Sequence, residues 1–462
     1  MKSHIPAGVQ RVLQTLTVAG FEAYLVGGCV RDLLRGVEPH DWDICTSALP
    51  EETAACFAGR RVIETGIKHG TVTVVEDGEP FEITTYRAEG PYTDSRRPDF
   101  VRFVPDLERD LARRDFTMNA IAMDLDETLR DPFGGAEDIR NGLIRCVGEP
   151  ERRFREDGLR VMRALRFAAV FGYGMEARTA RAVHENAAML DRVAAERVRA
   201  ELCGLLAGKW AGDVLRQYPD VFCRFWPQLG PLVTLEQNNP WHRWGGWEHT
   251  IRAVEAAPAN VDLRLAALLH DAGKPACKST DERGIDHFCG HPAVSARLAE
   301  HMLRSLRFDN RTRERVVLLV EHHDAPLPPG DPAIRKWLSR LGPEAFFQLL
   351  ELKRANHMGQ APEKARDRLA ELDGIRASAE RILAERQCLT REDLAVDGRD
   401  VMAAGVRPGP EVGRVLEDLL ERVLSGETAN RREVLLELLR GGGSRHGSDG
   451  MGAPDSGATG GC

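Results

Sequence analysis

The residue types best suited to chemistry stand at Asp41-Trp42-Asp43-Ile44. Polar and apolar positions alternate there, and in a strand residues i and i+2 share a face. Asp41 and Asp43 are therefore expected to point together at one spot, with Trp42 and Ile44 turned into the core. Two converging carboxylates make a seat for hard divalent cations such as Mg2+. Just upstream, Tyr24 to Val26 reads as a short buried strand cut off by Gly27-Gly28, and helical spacing runs from Val30 to Leu34. A helix start leaves backbone N–H groups unpaired for an anion such as a phosphate, and glycine lets that anion come close. An isolated DxD is commonly a surface turn. The ordered run of strand, Gly-Gly, basic helix and DxD is more specific, and a metal pair beside a phosphate cradle is what nucleotidyl transfer needs.

The elements that must position these groups follow from periodicity. Val9, Leu13 and Leu16 give a leading amphipathic helix within residues 1–22, and Glu51 to Ala58 reads as a second helix. Thr71 to Val75 and Phe81 to Tyr86 read as strands. Glu82, between apolar neighbours, is either a third acidic group beside Asp41 and Asp43 or an edge-strand glutamate facing water. Residues 89–104 carry two prolines, a glycine and three arginines, the pattern of a mobile loop. From Glu149 to about Ala200 glycines thin out and arginines multiply, giving a basic helical stretch that also suits plain solubility. Within it, Asp157 and Arg160 are three apart and are expected on one helix face, followed by Arg163 and, further round, Arg166. Residues 201–245 read as helical with a turn-rich stretch at Asn238 to Trp241. A second cluster follows: His249, the pair His270-Asp271, then His291 and His322-His323-Asp324. Residues 361–440 are helical and charged, and the Gly/Ser-rich 441–462 should be disordered.

At 462 residues the chain exceeds one compact core, and two to four domains are expected. Hydrophobic residues at 42% and charged residues at 29% are ordinary for a soluble globular protein. The sequence has no 18-residue apolar run and no signal-peptide pattern, so no membrane is expected and the setting is read as cytoplasmic. Ten scattered cysteines without a CxxC pair fit reduced thiols and give no cysteine zinc site. The net charge of −8 argues against a nucleic-acid partner for the whole, but not for the locally basic stretch from Glu149 to about Ala200.

The Gly-Gly and DxD run resembles the head signature of the DNA polymerase β-like nucleotidyltransferases, specifically the class II tRNA nucleotidyltransferase and bacterial poly(A) polymerase family. Arg113-Arg114-Asp115-Phe116-Thr117-Met118-Asn119-Ala120 matches that family's RRDxTxNA motif nearly letter for letter. Asp131 to Gly135 resembles the segment joining head to neck, and Leu394 to Val401 the tail. The resemblance covers roughly residues 5–440. It implies an α+β fold: a small head with a mixed sheet over 1–148, a helical neck over 149–212 for base selection and RNA binding, a connecting helical region over 213–245, a body over 246–360 and a helical tail over 361–440.

The activity implied is template-independent addition and repair of the tRNA 3′-terminal CCA from CTP and ATP. Asp41 and Asp43 would hold two Mg2+ ions, with Glu82 a candidate third acid. Gly28, Arg31 and Arg114 match the family's triphosphate-binding positions. Cytosine and adenine share an exocyclic amine next to a ring-nitrogen acceptor, so Asp157 can accept from the amine and Arg160 donate to the acceptor side. Uracil and guanine leave the carboxylate unpaired, at a cost of about 1–3 kcal/mol. Arg163 and Arg166 then serve triphosphate or RNA contacts. Alternatives within the class are a poly(A) polymerase or an enzyme adding only CC or only A, and Tyr92 to Pro98 resembles the intact loop of full CCA-adding enzymes.

The histidine cluster resembles the HD phosphohydrolase domain, an all-helical fold, with His249, His270 and Asp271 as a second metal set suited to a transition metal. That resemblance implies an alternative activity, hydrolysis of a phosphoester such as a 2′,3′-cyclic phosphate. Asn356 stands where such domains close the set with an aspartate, which removes a negative charge from the site.

Overall fold

The alternation at Thr71-Val72-Thr73-Val74 becomes a strand in which Val72 and Val74 are fully buried and the threonines are half-exposed, as period-2 burial requires. The computed structural model describes residues 5–63, 65–67, 70–89, 101–240, 243–360 and 362–442. The expected loop at Tyr92 to Pro98, Trp241 of the turn-rich stretch, and residues 443–462 of the Gly/Ser-rich tail lie outside them. The chain divides into two compact units: residues 1–230 with 305–308, and residues 231–304 with 309–462. The expected head and neck fall in the first. The expected tail, and the expected body apart from 305–308, fall in the second.

The first unit opens with α1 (Ala7–Val18), which buries Val9, Val12, Leu13 and Leu16. Then come β1 (Ala23–Val26), α2 (Gly28–Leu34), β2 (Ile44–Thr46), α3 (Pro50–Cys56), β3 (Arg61–Ile63), β4 (Thr71–Glu76) and β5 (Glu79–Thr85). A small hairpin of β6 (Arg87–Glu89) and β7 (Val101–Phe103) precedes α4 (Leu107–Ala112), β8 (Ala122–Met123), β9 (Leu129–Arg130) and α5 (Gly135–Arg140). Seven strands form one sheet in the order β3-β4-β5-β2-β1-β8-β9. The β2–β5 pair is parallel and its neighbours antiparallel, so the expected mixed sheet and α+β class are present. Below the site, Val26, Cys45, Tyr86, Val104, Leu111, Ala120, Ala122 and Val147 form one buried cluster. Val26, Val104, Leu111 and Val147 contribute roughly 1.5–3 kcal/mol each when fully buried, so this cluster fixes β1, β2 and the end of α4 against one another.

The neck helices are α6 (Pro150–Glu156), α7 (Leu159–Phe171), α8 (Ala177–Glu185), α9 (Ala195–Ala207), α10 (Ala211–Gln217) and α11 (Pro219–Phe225). Helices α7 and α9 lie close because α9 presents small residues. A side-chain carbon at Gly204 would stand 2.6 Å from Arg166 Cδ, and one at Gly208 2.5 Å from the Ala169 carbonyl. Helix α12 (Gly230–Val233) follows. The second unit then runs through α13 (Gly246–Ala256), α14 (Val261–Leu269), α15 (Lys274–Cys277), α16 (His291–Ser305), α17 (Asn310–His322), α18 (Asp331–Leu341), α19 (Pro343–Met358) and α20 (Pro362–Ala384). Helix α13 packs on α14 and α19, and α14 on α17 and α19. The tail adds α21 (Gly398–Ala403), α22 (Pro410–Ser425) and α23 (Arg432–Gly442).

Two expectations need correction. Asp41 and Asp43 are not on a strand but in the segment entering β2. The ladder reaches Asp43, whose carbonyl accepts from Val26 N–H at 3.0 Å. It stops there because Gly27 turns away with φ 80°, leaving Trp42 no partner strand, and Trp42 is half-buried rather than in the core. Asp157, for its part, is not on a helix face shared with Arg160. Helix α6 ends at Glu156, Asp157 is extended (φ −137°, ψ 106°), and α7 starts at Leu159. Gly158 sits so near Met189 that an added Cβ would stand 2.6 Å from the Met189 carbonyl oxygen.

Candidate active site

The centre of the head is Gly27, in a left-handed conformation between β1 and α2. A side-chain carbon there would stand 2.9 Å from Arg114 Nη1 and 3.8 Å from Asp43 Oδ2. Glycine therefore keeps open the place where a guanidinium and a carboxylate approach each other. The first-turn N–H groups of α2, from Gly28 onward, have no bond within the helix. Arg114 Nη2 donates to Asp110 Oδ2 at 3.3 Å, while its buried Nε has no hydrogen-bond partner. Burial pushes the Asp110 carboxyl up, but Arg113 and Arg114 outweigh it and hold it below its usual range. Asp43 is open to solvent on one side, yet burial of its carboxyl raises its pKa, Arg114 opposes the rise, and Asp41 adds to it. The oxygen donors of Asp41 and Asp43 suit a hard divalent ion.

Glu82 is exposed on β5, which lies inside the sheet rather than at its edge. The parallel register pairs Ile44 with Ile83. Glu82 and Asp43 each precede those residues by one, so Glu82 on β5 stands beside the segment that enters β2 at Asp43. Arg31 is braced rather than free. Its Nη1 donates to Asn119 Oδ1 at 2.9 Å, its other nitrogens donate to Asp32, and it lies over the Phe167 and Phe171 rings.

Head and neck are joined by a buried polar chain. Asn119 Nδ2 donates to Asp115 Oδ1 at 3.0 Å, and Arg163 Nε donates to Asp115 Oδ2 at 2.7 Å. Arg163 also faces Glu201 on α9 at 3.8 Å. Burial raises the Asp115 carboxyl, but Arg163, the Asn119 hydrogen bond and Arg160 overcome it and hold it at about 2. Arg160 is buried, donating to Glu156 Oε2 and the Arg153 carbonyl from Nη1 and to the Arg113 carbonyl from Nη2. The motif Arg113-Arg114-Asp115 is thus held in place from α7.

Asp157 and Arg160 have different partners. Asp157 Oδ1 accepts from Leu159 N–H, and Oδ2 from Arg197 Nη2 at 2.9 Å. Arg166 binds Glu201 and lies over the Phe167 ring. Arg197 and the connecting roles of Asp115 and Asn119 were missed from sequence. Asp115 and Asn119 stood inside a recognised motif, but nothing in the spacing tied Asp157 to an arginine on a separate helix.

In the second unit the histidines converge. His249 lies on α13, His270 and Asp271 follow α14, His291 opens α16, and His323 follows α17. All five are at least nine-tenths buried. Two trios of possible ligands result, His249–His270–Asp271 and Asp271–His291–His323. Burial raises Asp271, but His270 and Lys274 hold it well below the usual carboxylate range; burial, then His270, push His323 well below its usual value. His322 turns away to pack against Trp337. The spacing puts His291 and His323 in the cluster and His249, His270 and Asp271 in the metal set; that His291 and His323 also meet Asp271 emerges only from the fold.

Residues 23–145 match the family model described as the Poly A polymerase head domain, residues 172–218 the one described as a probable RNA and SrmB-binding site of polymerase A, and residues 279–439 the one described as a putative tRNA nucleotidyltransferase domain 2. These define a nucleotidyltransferase with a polymerase-type head and RNA-binding helices. The CCA-adding enzyme of Levilactobacillus brevis is 35% identical over 427 residues, spanning 92% of this chain and 95% of that protein. The CCA-adding enzyme of Geobacillus stearothermophilus is 36% identical over 434 residues, spanning 93% and 95%. The crystal structure of the Bacillus stearothermophilus CCA-adding enzyme in complex with CTP superposes with a TM-score of 0.71 at 32% identity, covering 94% of this chain and 97% of that one. The chain belongs to the family of CCA-adding enzymes.

Proposed function

We propose that this chain adds the 3′-terminal CCA of tRNA, one nucleotide at a time, from CTP and ATP and without a nucleic-acid template. The observation that carries the reading is the meeting of Asp43, Arg114 and Gly27 at one point of the head, in a chain similar over nine-tenths of its length to CCA-adding enzymes. The reaction is in-line attack of the tRNA 3′-hydroxyl on the nucleotide α-phosphate, with pyrophosphate leaving.

Asp41 and Asp43 fit Mg2+, and Glu82 stands beside them as a further acid. Mg2+ bound there would lower the pKa of the attacking hydroxyl and neutralise charge on the leaving pyrophosphate. Arg114, with an unpaired Nε and a nitrogen facing Gly27, is placed to donate to the triphosphate, as are the first N–H groups of α2 at Gly28. Arg31, anchored through Asn119, lies beside Gly28, where a Cβ would stand 3.7 Å from its Nη2. Asp157 and Arg160 select the base: the carboxylate accepts from the exocyclic amine of cytosine or adenine, and the guanidinium donates to the ring nitrogen. Arg197 holds Asp157 aimed, and Arg160 changes partner from Glu156 to base. Arg163 fixes the neck to the head through Asp115. Arg166 serves the neck rather than the nucleotide.

No described helix is long and apolar enough to cross a membrane, and the eight free described cysteines suit a reducing cytoplasm. Basic neck helices recognise the tRNA backbone through its phosphates. The test offers tRNA lacking CCA, CA or A to the protein with CTP, ATP, both or neither. Completion to CCA and then arrest is expected. Unlimited A addition to any RNA would sink the reading.

A further inference from the structure

Asp110 stands on α4, four residues before Arg114, and its side chain has no solvent exposure. Taking a carboxylate out of water is costly unless charged or polar partners meet both of its oxygens. Oδ1 accepts from the Arg87 N–H on β6 at 3.2 Å and from Arg113 Nε at 2.9 Å. That oxygen alone ties α4 to β6. Oδ2 is given to Arg114, whose Nη2 donates to it at 3.3 Å. Among the described residues, Asp110 is the only carboxylate within ion-pair distance of Arg114.

Arg114 nevertheless faces a second carboxylate. Its Nη1 lies 2.9 Å from the place a side-chain carbon at Gly27 would take, and Asp43 Oδ2 lies 3.8 Å from the same place. The Arg114 charge is felt there, since it opposes the rise in the Asp43 pKa. A direct pair between the two would set a guanidinium where Asp43 is needed for a cation, and would draw Arg114 off the nucleotide. A guanidinium is planar and rigid, so fixing one nitrogen sets the direction of the others. With Nη2 on Asp110, Nη1 points at the Gly27 opening, and the buried Nε is left without a hydrogen-bond partner.

We infer that Asp110 is a positioning residue for nucleotide binding: its Oδ2 holds Arg114 toward the triphosphate and keeps it from closing on Asp43. The inference rests on Arg114 as a phosphate ligand and Asp43 as a cation ligand, the roles proposed above. Asp110 itself touches neither nucleotide nor cation. In Asp110→Asn the amide oxygen still accepts from the Arg87 N–H, while the amide nitrogen meets Arg114 Nη2 donor to donor. Released from Asp110, Arg114 turns to the carboxylate it faces across Gly27. Nucleotide and cation are then both held less tightly, and CTP and ATP suffer alike because the triphosphate is common to them.

The test uses the full chain without tRNA, so that binding is read apart from turnover. Equilibrium dialysis of CTP and of ATP is run first with a chelator and then over a series of Mg2+ concentrations. Asp110→Asn should weaken both nucleotides by roughly fivefold or more in the chelator, and raise the Mg2+ concentration for half-maximal binding by a similar factor. Arg114→Ala should weaken both nucleotides without raising that Mg2+ concentration. Adding Asp110→Asn to Arg114→Ala should then change either value by no more than about twofold, because residues that act as one unit do not add. A residue that merely ties α4 to β6 would cause the same loss with and without Arg114, and that result overturns the inference. So does parental binding by Asp110→Asn, or a loss confined to one nucleotide. Asp110→Glu keeps the counter-charge and decides where the amide variant fails to fold: its Mg2+ requirement should match the parent's, and a raised requirement overturns the inference. Parental binding of both nucleotides by Arg114→Ala would remove Arg114 from the phosphates and the role of Asp110 with it. Weak binding by Arg114→Ala beside unchanged binding by Asp110→Asn would remove Asp110 alone.

Discussion

Asp115→Asn tests the joint between head and neck. Asp115 is buried and held at about 2 against an ordinary 3.8, chiefly by Arg163 once the opposing effect of burial is overcome. A carboxyl whose pKa is lowered on folding stabilises the fold above its unfolded value and loses that contribution as pH falls through the folded value. A depression of nearly two units corresponds to about 2 kcal/mol at pH 7, falling to about half that at pH 3 and vanishing below pH 2. Arg163 keeps Glu201 at 3.8 Å after the substitution, so the larger penalty of a buried charge with no counterion does not apply. Urea unfolding of parent and variant at pH 7 and pH 3 reads the difference directly, taking the transition of the first unit. The expected result is a gap of about 2 kcal/mol that halves at the lower pH. A gap that is absent, or that stays constant with pH, refutes the ion pair as the source of stability.

Other outcomes follow from the same geometry. Asp157→Ala should reduce discrimination of CTP and ATP against UTP and GTP by roughly 5- to 150-fold, the equivalent of about 1–3 kcal/mol, with metal dependence unchanged; retained discrimination in competition assays would remove Asp157 from base selection. Arg114→Ala should lower kcat/KM for CTP and ATP by similar factors, roughly 10- to 150-fold for one lost charged hydrogen bond, and a selective loss for one base would contradict a phosphate role. Affinity for tRNA should fall linearly on a log–log plot against salt, with a slope that Arg-to-Gln changes in the neck make shallower.

Much of the head was legible because its chemistry is local in sequence. Gly27-Gly28, Asp41, Asp43 and Arg113-Arg114-Asp115 stand in short ordered motifs, and Val72 and Val74 alternate as a strand requires. What periodicity could not reveal was where a ladder runs out: Gly27 turns β1 away, so the aspartates lie just outside the strand they seemed to occupy. The Asp157–Arg160 spacing suggested one helix face, but the backbone is extended at Asp157, which ends α6 before α7 begins. Long-range partners stayed hidden for the same reason. Arg197 reaches Asp157 from α9, and His291 and His323 meet Asp271 only because α14, α16 and α17 bring their ends together. Residue type was visible in each case, while the pairing belongs to tertiary packing.

The account rests on one centre in the head carrying out every addition while the neck chooses the base. The most direct measurement is single-turnover extension of tRNA lacking CCA by Asp41→Ala, following each added nucleotide separately in the presence of CTP and ATP. The account predicts that both C additions and the A addition fall to background together while tRNA binding is retained. If any one addition survived near the parent rate, a second centre would have to perform it, and the assignment of Asp41 and Asp43 as the shared cation seat would be wrong.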